Sequence, residues 1–183
     1  MGAIANKVNP DFRVRELDYI LRFSGSRAFV CPVTFKGYDY VGMARGLREA
    51  IPALTHVIVS GGDIEGGWNL EQGIVASPPL AAEDRVRMSA DEIFRMAFTS
   101  GTTGDPKCVL HSFNTTLYAS RLLNTDMRVT QDDVLLIYLP MGLNWGYLTL
   151  LQAILAGARA LLLERFSAGA ALDLIEKERV SYI

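Results

Sequence analysis

Ten consecutive residues carry the side chains and backbone freedom that suit phosphate: Phe98-Thr99-Ser100-Gly101-Thr102-Thr103-Gly104-Asp105-Pro106-Lys107. Gly101 and Gly104 can take positive φ and let the backbone approach a ligand closely. Successive N–H groups in such a turn form an anion-binding concavity. Ser100, Thr102 and Thr103 add hydroxyl donors, and Lys107 adds a compact positive charge. The chemistry these types support is the wrapping of a polyphosphate.

Two better-known phosphate loops are excluded. A Walker A loop ends in Gly-Lys-Ser/Thr and leads into a helix, whereas here Pro106 precedes the lysine and Cys108-Val109-Leu110 follows like a strand. A GxGxxG dinucleotide fingerprint is absent as well. Short Gly/Thr runs are mostly surface hairpins that bind nothing, but ten residues in one pattern weigh against that. The run resembles the phosphate-binding signature of the adenylate-forming superfamily, Tyr/Phe-Thr-Ser-Gly-Ser/Thr-Thr-Gly-x-Pro-Lys-Gly. It departs at Cys108, where that family usually has glycine. The resemblance extends over nearly the whole chain. Asn9-Pro10 and Arg15-Glu16-Leu17 look like an earlier family segment, and Tyr138-Leu139-Pro140 to Gly146 looks like the next motif, Pro-Leu-Phe-His-x-x-Gly.

The elements that must hold this loop can be read from periodicity. Residues 2–8 read as a short buried strand, and Arg15 to Arg22 carries helical spacing. Residues 27–33 are a strand, 38–50 a helix with Val41, Ala44 and Leu47 inward, and 54–60 another strand. Residues 61–84, rich in Gly, Pro and Glu, read as a long surface loop with a short helix near Leu70. Strands over 92–98 and 107–111 flank the phosphate loop, taken as 98–108. A helix capped by Ser112 or Asn114 runs to about Leu123. A strand over 134–139, a helix over 145–155, a strand over 159–163, a helix over 168–177 and a strand over 180–183 complete the chain. Alternating strands and helices predict an α/β fold, a mainly parallel sheet with helices on both faces. The family likeness makes 1–183 one partial domain, a central piece of a large N-terminal adenylation domain.

Composition narrows the function classes. The chain has 183 residues, half of them hydrophobic, and a formal net charge of -2. No basic face suggests nucleic acid. Cys31 and Cys108 are far apart and two histidines accompany them, so no disulfide framework or zinc spacing is visible. The setting expected is a reducing cytoplasm. The stretch 147–163 contains Gln152 and Arg159 and is split by Ala156-Gly157-Ala158, which argues against a membrane span.

The resemblance implies ATP-dependent activation of a carboxylic acid to an acyl-adenylate, followed by transfer to coenzyme A. ATP, Mg2+ and coenzyme A are the implied cofactors and partners, beside a fatty, aromatic or alicyclic acid. It assigns Thr99, Ser100, Gly101, Thr102, Thr103, Gly104 and Lys107 to the ATP phosphates. Thr102 falls near Mg-ATP, and Lys107 is the one catalytic candidate. Gly142, Leu143, Asn144, Trp145 and Gly146 become candidates for the acid pocket. Gly142 stands where the family has an aromatic ring, which suggests room for a bulky acyl group. Leu143 stands where it has histidine. Trp145 reads equally as core, and His111 reads better as a structural histidine than as a general base. The family's downstream motifs are not found in these residues, so the chain is expected to be inactive alone and to need the remainder of its enzyme. Three other readings stay open: a phosphate-binding module without chemistry, a structural piece that folds only when docked on the missing remainder, and an adenylation domain of luciferase or peptide-synthetase type.

Overall fold

The computed structural model describes residues 2–99 and 106–183. In chain order the elements are β1 (Ala5–Lys7), α1 (Val14–Ser24), β2 (Ala28–Pro32), β3 (Thr34–Phe35), β4 (Tyr38–Asp39), α2 (Tyr40–Ala50), β5 (His56–Ser60), β6 (Trp68–Asn69) and α3 (Leu70–Ala76). Then come β7 (Ile93–Phe98), β8 (Cys108–Ser112), α4 (Phe113–Met127), β9 (Val134–Ile137), α5 (Asn144–Ala156), β10 (Arg159–Leu162) and α6 (Ala168–Glu178). The sequence reading treats 1–183 as one partial domain; the described residues gather into two compact units, residues 10–87 and residues 2–9 with 88–183.

The unit of residues 10–87 is built on the parallel sheet β2-β5-β6. Alternate strand positions turn inward: Phe29 and Cys31 on β2, Val57 and Val59 on β5. Leu17, Ile20 and Leu21 of α1 are buried, as are Tyr40, Met43, Ala44 and Leu47 of α2. Each set follows the 3.6-residue period of an amphipathic helix. The second helix starts later than its sequence suggests. Tyr38 and Asp39 form β4 against β3, across a turn in which Lys36 has φ 51° and Gly37 φ 78°. Asp39 then caps α2, its carboxylate accepting the Gly42 N–H at 3.0 Å. That fixed start turns Tyr40 and Met43 inward and leaves Val41 only half-buried.

The expected loop over 61–84 holds β6 and α3. Asn69 caps α3 through the Gln72 N–H at 2.9 Å. Glu71 reaches back to the Ser60 hydroxyl at 2.6 Å. Nothing on α3 is buried, so the sequence offers no period by which to see it beyond the short helix expected near Leu70.

In the other unit β1 pairs parallel with β7, and β7 pairs antiparallel with β8. Strands β9 and β10 pair in parallel, and the strand expected over 180–183 reduces to a single bridge from Tyr182 to Leu135. Helix α4 begins at Ser112, whose hydroxyl accepts the Thr115 N–H at 3.2 Å. It runs on to Met127, because Arg128 closes it in the left-handed region at φ 56°. Helix α5 packs on α4, where the Asn124 amide donates to the Gln152 carbonyl at 3.0 Å. The core here is Leu135, Leu136 and Ile137 of β9 with Leu148, Gln152 and Ala153 of α5. The fold is thus mixed α/β, with parallel pairings and, among the described residues of this unit, one antiparallel hairpin, β7–β8.

Candidate functional site

The β7–β8 ladder continues one pair past its last strand residues. The Thr99 N–H donates to the Lys107 carbonyl at 3.0 Å. In return the Lys107 N–H donates to the Thr99 hydroxyl at 3.2 Å. Thr99 and Lys107 therefore close the base of the loop, and the Thr99 hydroxyl is engaged there. Ser100, Gly101, Thr102, Thr103 and Gly104 lie outside the described residues. Cys108 pairs with Phe98 in the regular ladder, where extended backbone suits any residue. That is why a cysteine can stand at this position. Burial pushes its thiol upward.

The segment 140–146 turns the chain from β9 into α5. The Leu143 N–H donates to the Pro140 carbonyl at 2.9 Å, and Leu143 is the N-cap of the helix without a side-chain cap bond. Leu143, Asn144 and Trp145 are exposed, and Gly146 is buried. Trp145 and Gly146 line one small crevice with Tyr138, Leu139, Thr149 and Ile183. Gly142, Leu143 and Asn144 do not line it.

Gly142 corrects an expectation. A side chain there would not point into open space. Its Cβ would meet the Val8 carbonyl oxygen and stand 2.7 Å from the Val8 carbonyl carbon and 2.9 Å from the Asn9 Cα. The volume that a missing aromatic ring was expected to free is filled by the chain's own backbone. Gly146 is held the same way, its Cβ position 2.6 Å from the Leu139 carbonyl oxygen and 2.8 Å from that of Pro140.

Next to this segment lies a group that periodicity alone does not mark. Lys7, Arg95 and His111 share one face of the β1-β7-β8 sheet, since Ala5 pairs with Arg95, Lys7 with Ala97, and Arg95 with His111. Arg95 is 1 % exposed. Its Nε donates to the Thr116 hydroxyl at 3.3 Å, its guanidinium lies 5.0 Å from the Tyr147 ring centroid, and one terminal nitrogen has no hydrogen-bond partner. Lys7 donates to the Met141 carbonyl at 3.3 Å and sits 3.5 Å from the same ring centroid. Burial, and then the neighbouring Arg95, bring the Lys7 amine down to about 7. His111 is lowered by burial first, then by Arg95 and Lys7. That keeps it neutral near pH 7. The one sequence signal was Arg95, a basic residue within the otherwise apolar run of β7.

Comparison with known proteins follows the same lines. A family model described as AMP-binding enzyme matches residues 1–183. The medium-chain fatty-acid–CoA ligase of Escherichia coli is 28% identical over 180 residues, 98% of this chain and 32% of that protein. A Mycobacterium tuberculosis ligase that joins a methyl-dioxo-octahydroindenyl propanoyl group to CoA is 30% identical over 187 residues, 100% of this chain and 36% of that protein. Among solved structures, apo MbtA of Mycobacterium smegmatis superposes with a TM-score of 0.87 at 26% identity, over 98% of this chain and 33% of that one. The chain spans about a third of the length of the relatives it matches.

Proposed function

From the premise that the chain belongs to the AMP-binding enzyme family, we propose that it supplies the phosphate-binding part of an acid–thiol ligase. In the proposed reaction a carboxylate oxygen attacks the α-phosphorus of ATP and pyrophosphate leaves, giving an acyl-adenylate. The sulfur of coenzyme A then attacks the acyl carbonyl, AMP leaves, and the thiol proton is released. Charge builds on phosphate oxygens, and preorganised donors must meet it. The loop 98–108 provides them in this reading, with Ser100 to Gly104 around the phosphates and Lys107 at the loop exit as the charge. Among the described residues no group of His, Cys, Asp or Glu is arranged to hold a metal. Thr102 is the residue proposed to lie beside any magnesium that the nucleotide carries.

The observation that carries this reading is the closure at Thr99 and Lys107. Two reciprocal hydrogen bonds join Thr99 to Lys107, the residues that flank the motif's centre, at the end of the β7–β8 hairpin. The acid is proposed to be fatty, aromatic or alicyclic, with Trp145 and Gly146 on the crevice it would meet. Gly142 serves the backbone of that segment. The setting proposed is the cytoplasm, where Cys31 and Cys108 stay reduced; both are free thiols here. Further catalytic groups are proposed to come from the remainder of the enzyme.

Acid-dependent ATP–pyrophosphate exchange by the complete enzyme, over straight, branched and cyclic acids, tests the proposal. Exchange is expected with one acid class and is expected to fall roughly 100- to 1,000-fold in Lys107→Ala. Exchange independent of any acid, or untouched by that substitution, would contradict it.

A further inference from the structure

Lys7 lies against a tyrosine ring on a sheet face that, among the described residues, offers it no carboxylate. The strands β1, β7 and β8 and the helix α5 contain no Asp or Glu, and α4 contributes only Asp126. Two other basic groups, Arg95 and His111, share the sheet face, and Tyr147 covers it from α5. A lysine serving only to fill this space could be replaced by methionine without loss. Yet its ammonium makes two directed contacts, with the Met141 carbonyl at 3.3 Å and the Tyr147 ring at 3.5 Å. Those contacts bracket residues 142–146. The next two residues extend the brace, since the backbone of Val8 and Asn9 runs against Gly142 and leaves no space for a side chain.

We propose that Lys7 is a positioning residue for the acid-binding segment, its ammonium fastening Met141 and Tyr147 so that the start of α5, with Trp145, is held in one place. The acid-binding role of the segment rests on the function proposed above; the fastening does not. Arg95 keeps its charge, so Lys7 is the member of the pair that yields its proton near neutrality. Below that point the amine is charged, donates strongly and is drawn to the ring. Above it the ring attraction is lost and the bond to Met141 weakens. His111 protonates at more acid pH than usual, which separates its titration from that of Lys7.

Trp145 fluorescence reads the segment directly in a Trp68→Phe background, because the chain has two tryptophans. The parent emission is expected to change between about pH 6 and pH 8. Lys7→Met is expected to give the high-pH spectrum throughout, and Lys7→Arg the low-pH spectrum. A transition that survives unchanged in Lys7→Met, or a parent with no transition, would overturn the proposal. Should Lys7→Met lose its helical circular dichroism, Lys7→Arg decides by the same criterion, since a fixed charge must abolish the transition. In the complete enzyme, Lys7→Met is expected to raise KM for the acid roughly tenfold while KM for ATP holds. Loss of activity for any other reason leaves the fluorescence result standing, so failure of this proposal and failure of the ligase reading are told apart.

Discussion

Gly142 shows how a residue's role turns on where its side chain would point. Its position in a motif is visible in sequence, but the direction of its absent side chain is not, and that direction decides its role. Since its Cβ would meet the backbone of Val8 and Asn9, Gly142→Ala is expected to cost about 1–3 kcal/mol, measured by urea unfolding. A neutral result would reopen the space for substrate. Lys7 gives a second residue-scale prediction. Its amine is near 7 in the fold against a usual 10.5, so between those values the unfolded chain holds a proton that the folded chain has released. Stability from this group therefore rises with pH across that window and is least at and below its lower end. Lys7→Met removes the slope. The difference in unfolding free energy between parent and variant should shift in the parent's favour from about pH 6.5 to pH 9.5; parallel curves would contradict it. Neither Lys7 nor Arg95 could be singled out from spacing, because their burial depends on a strand pairing between residues about 90 positions apart in sequence.

At the scale of elements, the hairpin β7–β8 and helix α4 flank the segment proposed to bind phosphate. Ser112→Ala removes the hydroxyl that caps α4 and is expected to cost about 1 kcal/mol. The thermal midpoint should fall accordingly, while an unchanged midpoint would mean that the cap contributes nothing. These elements were legible because signals agreed: a β-rich run, a glycine loop, a second β-rich run and a serine cap. The β3–β4 turn was not, since Lys36 in the left-handed region gives no sequence cue. Helix α3 was only partly legible, because it buries nothing. The last strand was overread. Ser-Tyr-Ile has strand propensity, but pairing reaches only Tyr182.

The whole molecule carries apolar surface out of proportion to an isolated domain. In the second unit Trp145, Ile154, Leu162, Phe166 and Leu172 are each at least 60% exposed. Helix α5 is apolar on all sides, the pattern of a helix buried within a larger body. The 183-residue chain alone is therefore expected to self-associate at micromolar concentration and to enhance the fluorescence of an apolar dye. A dye-silent monomer would contradict that. The α/β class was legible at this scale from strand–helix alternation, whereas the division into two units was not, because it follows from which strands pair. The central claim is that residues 98–108 hold the phosphates of ATP. Its most direct test maps backbone amide shifts by nuclear magnetic resonance as Mg-ATP is added to the complete enzyme. The account predicts that the largest shifts fall between Thr99 and Lys107 and shrink in Lys107→Ala. Shifts concentrated elsewhere, or none at saturating nucleotide, would contradict it.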